Sequence, residues 1–244
     1  MRRASGLTMV ALLAALYAGC AKKATTTPSG QMVTGPKAEA IDLLRESGND
    51  LTSLINAEDK SIPEWVVARA QCLIVIPHMV KGGFVVGAKH GRGAATCRQS
   101  NGRWTAPAFV KITGGSWGPQ IGAEVADMVL AVMNKEGMDA LLNSNFQLGA
   151  HGSVTAGPVG REAAAEQGGV AQAGVLVYSR TKGLYAGATL EGAYIRPDDD
   201  LNQVYYGRPL SAKVILSGEA EAPQSASLFL TAVQQADRQA AKAE

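Results

Sequence analysis

Apolar positions along this chain change their spacing twice, and the changes predict the order of elements. From Pro36 onward, Ile41, Leu44, Leu51, Leu54 and Ile55 recur at helical spacing, with Gly48 weakening the middle of the stripe. "SIPEWVVARA" predicts a second, short helix, with Ser61 as its cap and Pro63 in its first turn. The pattern then turns to strands: "CLIVIP", "GGFVVGAKH", "RWTAPAFVKIT" and "WGPQIGAEVADMVLAVMN". The last places Glu124, Ala126, Met128 and Leu130 on one face and Val125, Asp127 and Val129 on the other, although its length also suits a helix. "KEGMDALLN" predicts a short helix and "NFQLGAHGSVTAG" a glycine-broken strand. "GVLVYSRTKGLYAGATLEGAYI" predicts a hairpin turning at Thr181-Lys182-Gly183. A short helix follows Pro197, and "SASLFLTAVQQADRQAAK" closes the chain as an amphipathic helix.

Helices, then antiparallel strands, then helices define an α+β fold, with no spacing that suggests repeated βαβ units. The chain has 28 glycines in 244 residues, many inside strand-like runs. Glycine within a strand marks a bulge, a bend or a close backbone approach. The expectation is therefore a curved, mainly antiparallel sheet or partial barrel, flanked by N-terminal and C-terminal helices.

The first residues carry a different signal. Arg2 and Arg3 precede an apolar run from Leu7 to Ala18, shorter than the roughly 20 residues a membrane span needs. That architecture fits a secretory signal. Leu16-Tyr17-Ala18-Gly19-Cys20 resembles a bacterial lipobox, with Tyr17 where an aliphatic residue is usual. The resemblance implies a signal peptide over 1–19 and lipidation of Cys20. Ala21, in place of aspartate, implies an outer-membrane address facing the periplasm. Residues 20–35 are polar and read as a flexible tether, and residues 36–244 as one domain.

Cysteine and charge add two constraints. With Cys20 set aside, Cys72 and Cys97 remain, and an even count in an exported chain predicts one disulfide, the alternative being two buried thiols. The signal holds two of the 23 basic residues, leaving 21 against 21 acidic ones, so global charge selects neither a membrane nor nucleic acid. Local charge is segregated. No Asp or Glu occurs between Trp65 and Ala123, a span holding Arg69, Lys81, Lys89, Arg92, Arg98, Arg103 and Lys111. Strand register decides whether these share one anion-attracting face or are scattered as solubilising charges.

Catalytic and metal motifs are weak. Gly114-Gly115-Ser116-Trp117-Gly118 matches G-x-S-x-G, with Asp127, Asp139 and His151 following in hydrolase order, but Pro119 and a strand follow where a helix should start. His78, His90 and His151 lack helical metal spacing. Asp198-Asp199-Asp200 lacks the glycine and glutamate of a calcium loop and suits a helix start. There is no nucleotide fingerprint, and too few aromatics lie among the basic residues for single-stranded nucleic acid. No cofactor, catalytic residue or metal ligand is expected.

Three blocks carry a family likeness. "IPEWVVARAQCLIVIPHMVKGGFVVGAKHGRGAATCR", "WTAPAFVKITGGSWGPQIGAEVADMVLAVMN" and "GVLVYSRTKGLYAGATLEGAYIRPDDDLNQVYYG" together resemble the SYLF domain of bacterial lipoproteins and eukaryotic membrane-traffic proteins. The likeness runs from about Ala38 to Phe229. It implies a non-enzymatic lipid-binding domain, with phosphoinositides preferred in eukaryotic members and a yeast branch that binds actin. For an envelope protein it implies an anionic lipid or lipid-phosphate ligand. Lys81, Lys89, Arg92, Arg98 and Lys111 are the candidate headgroup residues, acting through charge-assisted bonds to phosphate. The alternatives are a structural or protein-interaction module of the envelope and, more remotely, a serine hydrolase.

Overall fold

The structure, a computed structural model, describes residues 24–58, 61–83, 86–117, 122–143, 146–148, 154–157, 174–181, 190 and 192–243. The expected signal peptide, Cys20, His151 and Lys182-Gly183 of the expected turn lie outside the described residues.

The expected tether is instead partly folded. β1 (Ala24–Thr26) and β2 (Met32–Thr34) pair as a small antiparallel hairpin. Arg45 fastens the hairpin to the first helix, donating to Thr25 Oγ1 at 3.0 Å and the Thr26 carbonyl at 3.1 Å while pairing with Asp42. A polar run without periodicity gives no warning of a hairpin held by one arginine 19 residues away.

Helix α1 (Pro36–Ile55) begins at a proline, and Gly48 lets it approach the C-terminal helix so closely that a Cβ there would collide with the Leu228 carbonyl. α2 (Glu64–Arg69) is capped by Pro63 with no side-chain bond, so Ser61 does not cap it. The central strands are β3 (Cys72–Gly83), β4 (Val86–Cys97), β5 (Ala108–Trp117) and β6 (Gly122–Val132), the last a strand throughout. After α3 (Lys135–Leu142) come β7 (Phe146–Gln147), β8 (Val154–Ala156), β9 (Val175–Thr181) and β10 (Tyr194–Pro197). Helices α4 (Asp199–Tyr206), α5 (Ala212–Leu216) and α6 (Ser227–Ala243) complete the chain.

Among the described residues, the main sheet runs β7-β10-β5-β4-β3-β6-β9-β8, antiparallel except for the β8–β9 pair. β9 pairs with β6 and β8, whereas β10 pairs with β5 and β7. The described end of the predicted hairpin's second arm thus lies far across the sheet from its first. The sheet buries both faces at one end. Leu73, Val75, Ala94, Phe109 and Val129 pack beneath α1, α2 and α6, and Cys72, Ile74, Val110, Met128 and Leu130 form a second core on the other face. Cys72 and Cys97 are cross-strand partners joined by a disulfide, their Cα atoms 4.0 Å apart.

A bulge in β3 between Ile76 and Met79 divides this buried end from the rest. Gly91 and Gly93 on β4 make room for it: a Cβ on Gly93 would strike the Val75 carbonyl, and one on Gly91 the Ile76 side chain. The extra residue reverses the facing of β3. Ile74 and Ile76 point to the face away from α1, α2 and α6 before the bulge, and Met79 does so after it.

Candidate functional site

The predicted headgroup residues fall in three places. On the face covered by α1, α2 and α6, register sets Arg196 of β10 opposite Lys111 of β5, and Lys111 opposite Arg92 of β4. This three-strand basic ladder includes an arginine that sequence reading missed. Arg196 lies 85 positions beyond Lys111, and its only local signal is Tyr194, over whose ring its guanidinium sits at 5.0 Å.

The ladder is partly neutralised from beneath. Asp198, 1% exposed, accepts from Arg92 Nε at 2.8 Å and lies 3.6 Å from Lys111 Nζ, while Glu39 of α1 pairs with Arg92 at 2.5 Å. Asp198 also caps α4 by accepting from the Leu201 N–H. Those two carboxylates against three cations leave one positive charge, centred at the exposed Arg196.

One row nearer the strand ends, the same face carries Tyr194, Thr113, His90, Val80 and Val125 across five neighbouring strands. Val80 and Val125 are each 46% exposed. This end of the face is therefore an accessible, weakly polar row bordered by cations.

Lys81 and Lys89 lie on the other face, directly opposite each other, with Glu124 on the far side of Lys81. Lys89 is 4% exposed, and burial, then the neighbouring Lys81 charge, lower its pKa. Arg98 stands apart at the disulfide end. It donates to the Val67 carbonyl at 2.9 Å and to Asp237 at 2.7 Å, and it sits 4.5 Å above the Trp104 ring. Arg98 thus clamps α2 and α6 to the sheet. A single face holding all five residues is not what forms: strand alternation separates them, and the bulge sets the parity of Lys81.

A further polar cluster lies where α1 crosses β6 and β9. His78 adopts a positive φ of 49° at the bulge, and Asp127 accepts from its backbone N–H at 3.0 Å and faces its Nδ1 at 3.1 Å. Arg180 reaches Asp127 at 3.5 Å and Asp50 of α1 at 3.9 Å. Burial first, then the Asp127 charge, pushes Asp50 up to about 6.

Gly114 to Trp117 of the serine motif lie within β5, paired with β4, and Gly118 lies outside the described residues; the next described element is the strand β6, not the helix that a nucleophile elbow requires. Asp127 is engaged with His78 and Arg180, and Asp139 pairs with Lys135 on α3. Among the described residues no group of three His, Cys, Asp or Glu side chains is arranged to hold a metal.

Fold and surface together define an α+β domain that displays its charge on the two faces of one curled sheet, beyond a helix-covered core. The chain belongs to the Ysc84 family: the family model described as "Las17-binding protein actin regulator" matches residues 113–236. This is the family to which the SYLF resemblance pointed. Similar proteins include "Protein YSC84" of Saccharomyces cerevisiae, 34% identical over 177 residues, covering 70% of this chain and 37% of the relative. "SH3 domain-containing YSC84-like protein 1" of Xenopus laevis is 36% identical over 173 residues, 70% of this chain and 51% of the relative. "LAS seventeen-binding protein 3" of Saccharomyces cerevisiae is 35% identical over 168 residues, 68% of this chain and 36% of the relative. The chain thus spans between about a third and a half of these relatives' lengths.

Proposed function

We propose that this chain is a non-enzymatic lipoprotein of the bacterial cell envelope, anchored through Cys20 in the outer membrane on its periplasmic side, whose domain binds anionic lipid. One observation supports the lipid reading above the others. The Arg196–Lys111–Arg92 ladder borders an uncovered row with two half-exposed valines, Val80 and Val125. Apolar side chains favour the acyl boundary of a bilayer, and adjacent cations favour its anionic headgroups, each basic residue contributing about 1 kcal/mol near such a surface. An acyl chain at Cys20 would supply most of the affinity, and this face would orient the domain.

The test is vesicle flotation of the purified full chain carrying Cys20→Ser. Retention on vesicles with 30% phosphatidylglycerol and loss on pure phosphatidylcholine are expected. Arg196→Glu and Val125→Asp should each weaken retention. Equal retention on the two vesicle types, or no response to both substitutions, overturns the reading. Mass spectrometry of the exported wild-type protein tests the anchor: Cys20 should carry acyl mass, and an unmodified Cys20 removes the lipoprotein assignment.

The names of the yeast relatives favour a second reading, a protein-interaction module, in which the same uncovered row docks a protein. Stoichiometric capture of one envelope protein, lost with Val125→Asp, together with vesicle retention indifferent to lipid charge, would favour it.

A further inference from the structure

One turn carries chemistry that the proposed membrane surface does not use. Beyond β4, the chain between Cys97 and Thr105 forms a small hairpin. The Thr105 N–H donates to the Cys97 carbonyl at 2.9 Å, Arg98 and Trp104 bridge, and the Gln99 N–H donates to the Arg103 carbonyl at 2.8 Å. The tip is Asn101-Gly102, both residues exposed. Of the chain's asparagines, Asn101 alone precedes a glycine. Gly102 takes the left-handed φ of 80° that closes such a turn, and the space where a side chain would stand is open.

The tip holds the parts of an intramolecular acyl transfer. The Arg103 N–H donates to Asn101 Oδ1 at 2.9 Å. That bond polarises the side-chain carbonyl and stabilises the negative charge that forms when its carbon becomes tetrahedral. The Gly102 backbone nitrogen is the nucleophile, and no Cβ on its own residue crowds its approach. One contact opposes the attack: the Gly102 N–H donates to the Gln99 carbonyl at 2.9 Å. This bond lies at an exposed tip, so the need to open it should slow the reaction by no more than about tenfold. Asn202, by contrast, is fully buried and binds both backbone groups of Phe109.

We propose that Asn101-Gly102 is a modification site, at which the chain ages by deamidation with water as the co-reactant. The Gly102 nitrogen bonds to Asn101 Cγ and gives up its proton, the Cγ–Nδ2 bond breaks, and ammonia leaves. The succinimide ring that remains takes up one water. Opening at Cγ gives aspartate. Opening at the main-chain carbonyl gives isoaspartate, which carries an extra methylene in the backbone. The two products differ in consequence. Aspartate keeps the turn, since its carboxylate accepts from the Arg103 N–H more strongly than the amide did. Isoaspartate lengthens the tip, breaks the pairing of Gln99 with Arg103 and draws Trp104 away from Arg98, the residue that clamps α2 and α6. The site lies at the disulfide end and does not depend on the lipid reading.

The test incubates the purified full chain carrying Cys20→Ser at neutral pH, beside a synthetic peptide of residues 98–105. Tryptic mapping by mass spectrometry follows the fragment from Gln99 to Arg103. Acid should form at Asn101 before any other asparagine, as a mixture of isoaspartate and aspartate, at a rate within about tenfold of the peptide's. Gly102→Asn keeps a residue that tolerates left-handed backbone but adds a side chain beside the attacking nitrogen, and should slow acid formation at Asn101 about tenfold. The isolated isoaspartate fraction should unfold at lower urea than fresh protein, whereas Asn101→Asp, which adds the charge without the methylene, should unfold with it. Asn101 still an amide well after a tenfold longer exposure than converts the peptide, earlier conversion of another asparagine, aspartate without isoaspartate, or an unchanged rate in Gly102→Asn overturns the site. Equal unfolding of the isoaspartate fraction and fresh protein overturns its link to the Arg98 clamp.

Discussion

The strands β3, β4, β5 and β6 lead two lives. At the disulfide end both faces are covered, and nearly every side chain from Cys72 to Ile76 is buried between two apolar cores. Beyond the bulge the same strands carry lysines, a glutamate, glycines and exposed valines. The first half is built as protein interiors are, by matched apolar volume. The second half gives up that burial and gains accessible charge on both faces. Stability and chemistry are thus separated along the strands rather than between domains, and substitutions in the two halves should have opposite signatures.

The largest effect should come from Phe109→Ala. Phe109 is fully buried beneath the helices and touches Tyr205 edge to face, with ring centroids 5.1 Å apart. A cavity there should cost about 3–5 kcal/mol in urea unfolding. The folded fraction should retain its lipid preference, since no charged row has moved; a changed preference would break the division between halves. Replacing Cys72 and Cys97 together by Ala should cost about 3 kcal/mol, because the bridge closes a 25-residue separation in the unfolded chain.

Asp198→Ala acts at the boundary. It removes the α4 cap and the buried counter-charge of Arg92 and Lys111. Both cations are more than a third exposed, which limits the loss to about 2 kcal/mol. The same change releases positive charge on the face that α1 covers, so vesicle retention should rise as stability falls. A fall in both would mean that the ladder's geometry, not its charge, matters.

Asp50 gives a pH test at the same boundary. Its folded-state value near 6 lies above its ordinary 3.8, so the carboxyl gains affinity for a proton on folding. The associated stability is full below about pH 4 and is lost as pH rises through about 6. Asp50→Asn should flatten stability across that window and raise it near pH 7.5 by about 1 kcal/mol. An unchanged slope between pH 4 and 6.5 would place the titration elsewhere. The smallest effect is Val125→Ser, which should alter stability by less than about 0.5 kcal/mol yet reduce vesicle retention.

Much of the fold was legible because local patterns and tertiary contacts agree. The α1 stripe, the alternation from Gly122 to Val132 and the acidic start of α4 all read correctly, since each depends on neighbours a few residues away. The hairpin at Ala24–Thr34 was illegible because Arg45 holds it from another element. The site was legible in its ingredients only. A span without carboxylates predicted basic strands, yet the acids that neutralise Arg92 and Lys111 come from Glu39 and Asp198, outside that span.

The sequence alone determined most of the order of helices and strands from Pro36 onward, the curvature of a glycine-rich sheet and the membership that ties this chain to the Ysc84 family. Only the tertiary structure decided which cations meet. Side chains alternate strictly along a strand, so a single inserted residue between Ile76 and Met79 reverses every facing beyond it. That reversal is a property of pairing between distant strands, and no local pattern encodes it.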